Sequence, residues 1–366
     1  MSNKSMTIKV PGKLMIAGEF AVLEPYQKLA VMAVDRFVYA QIQASNINSL
    51  TLENFNINTG WDFDGTSVLI ASENPHVNFV QEAMKNTLIY LREHDIELSP
   101  FSLIIKSELD DESGKKYGLG SSAAVVTSAV AAILNYFLPI KPADMLIFKL
   151  AAISHVKTQG NGSGADIAAA TYGGVLEYSS FQADWLLEEI QCTESLTALV
   201  EKKWTYLTVK SITIPERLEI CIGWTGNPAS TSDLVNHILL LKRNEPSKFD
   251  TFIHNSDQAV RDFLKGMKTS DIPLLFEGIK RNRHALAKVG QEAHVQLETP
   301  LLQTLSDQAE ENGGVGKQSG AGGGDCGIAF MPSKEKVEQL KQAWSKENIK
   351  VLDLTVYPYG VTVLSE

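Results

Sequence analysis

Short strand-length apolar runs alternate along this chain with longer segments of helical period, and glycine or proline marks most of the changes. Residues 7–10 read as a strand, which Pro11-Gly12-Lys13 then turns into the apolar stretch 14–19. Residues 37–42 alternate apolar and polar and continue a sheet, and 50–52 is a short strand between Asn-rich turns. Pro75 precedes a helix with Phe79, Met84, Leu88 and Leu91 on one face, running to about His94, and 101–105 returns to strand. A polar loop, 108–117, leads to a glycine turn and an almost wholly apolar helix that reaches Phe137 and stops by Pro139. Pro142 opens the next helix, through Leu146, Leu150 and Ile153 to about Lys157. After the polar loop 158–164 come a short helix, 165–172, and a strand, 174–178.

Residues 185–204 carry no clear period, and a domain boundary falls between there and Pro215. The second half starts with a buried strand, 218–224. Helices follow at 249–265, 272–289 and 300–311, then a glycine cluster from 313 to 327. Strand 328–330, helix 334–346 and strands 351–356 and 360–364 close the chain. Interleaved strands and helices make the class α/β or α+β.

A chain of 366 residues is long enough for two domains with real cores, and 44% hydrophobic and 21% charged residues are ordinary globular values. The formal charge of −10 argues against a nucleic-acid surface or an anionic membrane, so a phosphate ligand would need cations gathered locally. Cys192, Cys221 and Cys326 form no CxxC pair, which suggests reduced thiols. With no apolar signal core in the first residues and no run approaching a membrane span, the expectation is a cytoplasmic protein.

The chemistry is concentrated in two glycine-rich stretches. In Gly118-Leu119-Gly120-Ser121-Ser122-Ala123-Ala124, small residues allow close approach of a ligand, and the serines are placed to cap a helix whose first N–H groups attract anions. Lys115 and Lys116 precede it. As a dinucleotide fingerprint it lacks a strand immediately before it and an acid about twenty residues on. As a Walker A loop it lacks the Lys-Ser or Lys-Thr pair. The second stretch, 317–327, is so dense in glycine that backbone must come close to another element or a ligand there. Lys13 and Glu19 flank an apolar segment, and Asp166 opens an Ala-rich helix, where an acid also stabilises the helix N-terminus. The seven histidines, His155, His237 and His294 among them, show no metal-ligand spacing and read as structural or exposed. No Gly-x-Ser-x-Gly elbow is present.

In order along the chain, Val10-Pro11-Gly12-Lys13 through Gly18-Glu19, Gly118 to Ala123, and Ser319-Gly320-Ala321-Gly322-Gly323-Gly324-Asp325 resemble the three signatures of the GHMP small-molecule kinases. Phe20 where mevalonate kinases carry histidine, Lys116 to Ser122, Gly223-Trp224-Thr225-Gly226 and 319–327 resemble the bacterial branch whose acceptor is phosphomevalonate. The resemblance implies an α+β, two-domain GHMP-kinase fold: a ribosomal-protein-like βαβ N-terminal domain (1–210) and a ferredoxin-like C-terminal domain (211–366), with ATP and acceptor in the cleft between.

It further implies Lys13 and Asp166 as catalytic, and Lys116, Gly118, Leu119, Gly120, Ser121, Ser122 and Ala123 around the ATP phosphates. Glu19, Ser163, Ser230, Ser319, Gly320, Ala321 and Gly322 would face the acceptor, with Thr231 and Ser232 beside Ser230. Ser122 would meet Mg²⁺. His155 stands where mevalonate kinases carry a magnesium-binding glutamate, so no glutamate ligand is assigned. The expected partners are phosphomevalonate and ATP, without nucleic acid or membrane, on a monomer or weak homodimer. Other readings of the same motifs are a mevalonate kinase or other GHMP small-molecule kinase, a diphosphomevalonate decarboxylase, and a non-catalytic nucleotide sensor.

Overall fold

The computed structural model describes residues 5–110, 114–229 and 231–364. In chain order the first half comprises β1 (Ser5–Ala17), β2 (Leu29–Ala44), β3 (Ser49–Leu52), β4 (Ile57–Phe63), β5 (Val68–Ile70), α1 (Val77–Glu93), β6 (Phe101–Ser107), α2 (Ser121–Phe137), α3 (Asp144–Gln159), α4 (Ala165–Tyr172), β7 (Val175–Ser179), α5 (Ala183–Cys192), α6 (Leu196–Glu201) and β8 (Thr208–Ile212). The second half comprises β9 (Glu219–Trp224), α7 (Thr231–Asn244), α8 (Pro246–Thr269), α9 (Ile272–Glu292), α10 (Pro300–Glu311), β10 (Val315–Gln318), β11 (Cys326–Met331), α11 (Lys334–Lys346), β12 (Lys350–Leu352) and β13 (Thr362–Leu364).

One sheet runs β13-β1-β2-β6-β3-β4-β5, and β7 pairs with the start of β2 and carries β8. Helices α1 to α4 pack together, with α2 and α4 also against β1 and β2. Helix α2 is apolar on every side, and that composition fits its position: Ala123, Ala124, Val126 and the run from Ala129 to Leu134 are all fully buried. The second sheet is antiparallel, in the order β10-β11-β9-β12. With α7 to α10 between its first two strands and α11 before its last, this is the βαββαβ order of a ferredoxin-like unit with extra helices. The fold is therefore α+β.

Several expectations change. Pro11-Gly12-Lys13 is not a turn: β1 runs through it, and the register against β2 shifts between Pro11 and Gly12. A bulge is where a strand tolerates a residue without an N–H. It also brings β1 close to the loop after β6: the Lys13 N–H donates to Leu119 O at 2.9 Å. A Cβ at Gly12 would sit 2.8 Å from Leu109 Cδ2 and 3.0 Å from Leu119 O.

Pro142 lies outside α3, whose cap is Ala143. The range without clear period holds two short helices, the second capped by Ser195 Oγ accepting from Ala198 N. Helix α7, over residues 231–244, lies where the sequence pattern places no helix. The strand read at 351–356 stops at Leu352, because Thr355 instead donates its N–H and hydroxyl to the Asp35 carboxylate, each at 2.7 Å. The chain then returns to the first sheet, where β13 pairs with β1. A division at 210/211 thus falls inside β8 and assigns β13, which pairs in the first sheet, to the second domain. Among the described residues no helix is long and apolar enough to cross a membrane.

Candidate active site

The bulge in β1 aims Lys13 at the glycine turn. Lys13 Nζ donates to Gly118 O at 2.9 Å. Gly120 is the cap residue of α2, at φ 78°, so the serines do not cap the helix as expected but form its first turn. A side chain at Gly120 would be strained by that φ and would also meet Lys13, since an added Cβ falls 3.0 Å from Lys13 Cγ and 3.5 Å from Asp166 Cβ. Lys13 and Asp166 therefore converge beneath Gly120. The first bond of the α2 ladder is Ala124 N–H to Gly120 O, which places the N–H groups of Ser121, Ser122 and Ala123 ahead of the ladder at the positive end of the helix. Buried Leu119 anchors the turn from below. Lys116 is exposed on the approach loop, where it bridges Asp110 in β fashion.

Asp166 stands in the first turn of α4, and its Oδ1 accepts from the Ile167 N–H at 3.0 Å. Just before it, Ser163 O accepts the Tyr178 hydroxyl at 2.6 Å and Ser163 Oγ accepts from Ala165 N at 3.3 Å, which fixes the loop that presents the acid. His155, read from sequence as structural or exposed, is buried inside the site. Its Nε2 lies 3.2 Å from Ser122 Oγ, in hydrogen bonding, and its ring packs beside Phe79. Burial lowers the imidazole's pKa, with the Asp166 charge pulling the other way.

The second domain reaches in through the hairpin between β10 and β11. Ser319 Oγ donates to Met15 O at 2.8 Å, and the Gly320 N–H donates to Glu19 Oε1 at 3.3 Å. The same Glu19 oxygen takes Lys317 Nζ at 2.5 Å, a pair in which Lys317 is 0% and Glu19 2% exposed. Burial lowers the Lys317 pKa and the Glu19 carboxylate opposes that. Glu19 Oε2 is buried with no partner. The rest of the glycine cluster serves backbone contact inside the second domain: an added Cβ at Gly322 would fall 2.2 Å from Leu297 O, and at Gly324 2.3 Å from Asn227 O.

Asp325, quoted in the motif but not singled out, sits against the glycine turn of the other domain. A Cβ at Gly118 would be 2.7 Å from its Oδ2, and its Oδ1 accepts from Ala229 N at 3.2 Å. Burial raises its pKa, while that N–H, Lys13 and Lys116 oppose the shift. Next to it Cys326 Sγ donates to Tyr117 O, and Tyr117 packs edge-on against Trp224 with ring centres 4.9 Å apart.

Between the domains lies a cavity of about 240 Å³ whose walls include Glu19, His155, Ser163, Asp166, Thr231 and Ala321. Ser319, Gly320 and Gly322 are not among the residues that line it. Ser230 lies outside the described residues. Its neighbour Thr231 begins α7 and faces the cavity.

The Lys317–Glu19 pair gives a stability test. Removing one partner strands a buried charge, which costs about 3–5 kcal/mol. Lys317→Met and Glu19→Gln are each expected to lower Tm by several degrees. The double variant is expected to recover most of that loss, as thermal unfolding would show.

Residues 78–174, which carry the glycine turn, His155 and Asp166, match the family model for the GHMP kinases N terminal domain. Residues 263–350, which carry the β10–β11 hairpin, match the model for the GHMP kinases C terminal. The chain belongs to the GHMP kinase family. Among this family's members, the phosphomevalonate kinase of Streptomyces sp. (strain CL190) is 29% identical over 365 residues, covering 96% of this chain and 97% of its own. The crystal structure of a Lin0012 protein from Listeria innocua is 36% identical with a TM-score of 0.94, covering 99% of this chain and 100% of that one. The Streptococcus pneumoniae phosphomevalonate kinase in complex with phosphomevalonate and AMPPNP is 28% identical with a TM-score of 0.84, covering 96% and 99%.

Proposed function

We propose that this GHMP kinase transfers the γ-phosphoryl group of ATP to (R)-5-phosphomevalonate, giving 5-diphosphomevalonate, the mevalonate-route precursor of isopentenyl diphosphate. The observation that carries the reading is the convergence of Lys13 and Asp166 under Gly120, at the N-terminus of α2 and on the edge of a cavity built from both domains. Two relatives named phosphomevalonate kinase, each matched along nearly its whole length, supply the acceptor.

The glycine turn packs so closely on Asp325 and Lys13 that a Cβ at Gly118 or Gly120 would meet them, and the open N–H groups at the head of α2 beside it fit the phosphates of ATP. The head of α2 and Lys116 would hold them, and Asp325 closes the turn from the second domain. Among the described residues no three His, Cys, Asp or Glu side chains form a metal cage. A nucleotide-borne Mg²⁺ would thus be met by Ser122 and phosphate oxygens, where it would neutralise phosphate charge. Lys13 lies where charge builds on the transferred group, and Asp166 keeps that cation oriented. The acceptor's own phosphate would sit by Thr231 at the head of α7, and Glu19 and Ser163 would line its carbon skeleton. A phosphomonoester has a second pKa of about 6, so the attacking oxygen needs no strong base at neutral pH. We place the domain boundary just past 210/211, after β8 ends at Ile212, and read the protein as a cytoplasmic monomer or weak homodimer.

ADP release with ATP and Mg²⁺ across phosphomevalonate, mevalonate and galactose tests this. Turnover is expected with phosphomevalonate alone and without release of CO₂. Turnover with mevalonate would make it a mevalonate kinase, and CO₂ release from diphosphomevalonate a decarboxylase.

A further inference from the structure

The first turn of α2 contains a hydroxyl whose bonding is unlike that of the next serine along the same helix. Ser128 Oγ donates back to its own helix, to Val125 O at 2.8 Å. Ser122 Oγ instead reaches sideways to another helix, to His155 Nε2 at 3.2 Å. His155 belongs to α3, is 3% exposed, and is braced by Phe79 with ring centres 5.2 Å apart. The imidazole thus touches the head of the nucleotide-facing helix with one edge while forming part of the cavity wall beside Asp166.

We propose that His155 is a positioning residue that acts through Ser122: as the Nε2–H tautomer it donates to Ser122 Oγ, which fixes the rotamer and leaves the hydroxyl hydrogen free to donate to the nucleotide phosphates. A serine hydroxyl at a helix head otherwise rotates freely or bonds back to its own turn, and either loses the directed contact. Fixing it in advance removes the cost of ordering it when ligand binds. The proposal rests on the kinase reading for the identity of the ligand, but not for that of the acceptor.

AMPPNP with Mg²⁺ and no acceptor is the probe, read by calorimetry. His155→Phe keeps the ring against Phe79 and deletes Nε2, whereas His155→Gln keeps a polar atom near the Nε2 position. His155→Phe and Ser122→Ala are each expected to weaken AMPPNP about tenfold, as outer supports of a ligand contact do. The double variant is expected to lose no more than either single one, because both delete the same interaction. His155→Gln is expected to recover most of the affinity. Additive losses would overturn the proposal, as would an effect confined to KM for phosphomevalonate, which would make His155 a direct acceptor contact. If His155→Phe does not fold, the other two variants decide: unchanged AMPPNP affinity in Ser122→Ala, or tenfold loss in His155→Gln, overturns it. A wild-type protein that binds no AMPPNP overturns this proposal and the kinase reading together, whereas additive losses in a protein that binds it leave the kinase reading standing.

Discussion

Lys13→Met is expected to lower kcat about 10³-fold while AMPPNP binding remains measurable, since removing a cation placed on a transferring phosphoryl group costs on that scale. Methionine keeps most of the aliphatic stem that packs under Gly120, so the glycine turn should hold its shape. What goes is the ammonium and its bond to Gly118 O. That bond matters in the free protein because it parks the charge at the floor of the turn before any phosphate arrives. The loss should appear in kcat rather than in KM for ATP, because the head of α2 and the backbone of the turn still receive the phosphates. Steady-state kinetics alongside calorimetry would separate the two parameters. Turnover within a few-fold of wild type would remove Lys13 from the transfer step.

How much of this was legible in the sequence depends on whether a residue's partner is near it in the chain. Helix α2 was legible because its signals are local: glycines before it, an apolar face all round, Pro139 after it. Helices α10 and α11 likewise matched the ranges read from their own period. The Pro-Gly-Lys turn was misread because the same three residues serve a bulge once Leu119 O, from a loop a hundred residues on, accepts the Lys13 N–H. Nothing local tells a strand that its bulge has that acceptor.

The sequence marks His155 only as a non-carboxylate at a metal-ligand position, and its contact with Ser122 is hidden for a similar reason. On its own helix it is one polar residue on an apolar face, and only the packing of α3 beside α2 brings it to Ser122. Lys317 and Glu19 lie 298 positions apart and meet only when the two domains close on each other. Asp325 was in plain view within a quoted motif, but its meaning depends on Gly118 of the other domain. Motif order pointed to loops that meet in the fold; which side chains in them touch is set by tertiary contacts that no spacing records.

Asp166→Asn is expected to lower kcat by about 10- to 100-fold, clearly less than the loss of Lys13, and to leave the shape of the pH profile unchanged. A general base contributes about 10²–10⁴-fold where a proton must be taken from the nucleophile in the transition state. A phosphomonoester has already lost that proton at pH 7, its second pKa being about 6. For such an acceptor the carboxylate's remaining work is to hold Lys13, whose stem and Asp166 Cβ both lie within 3.5 Å of the position a Cβ would take on Gly120. Asparagine keeps the shape and an acceptor oxygen for the Ile167 N–H but drops the charge. The rate should then rise with pH through about 6 in wild type and variant alike, following the acceptor's ionisation, and stay flat toward pH 9. A rising limb present in wild type and absent from Asp166→Asn would instead assign that ionisation to Asp166. It would make the acid a base and point to an acceptor that arrives as an alcohol.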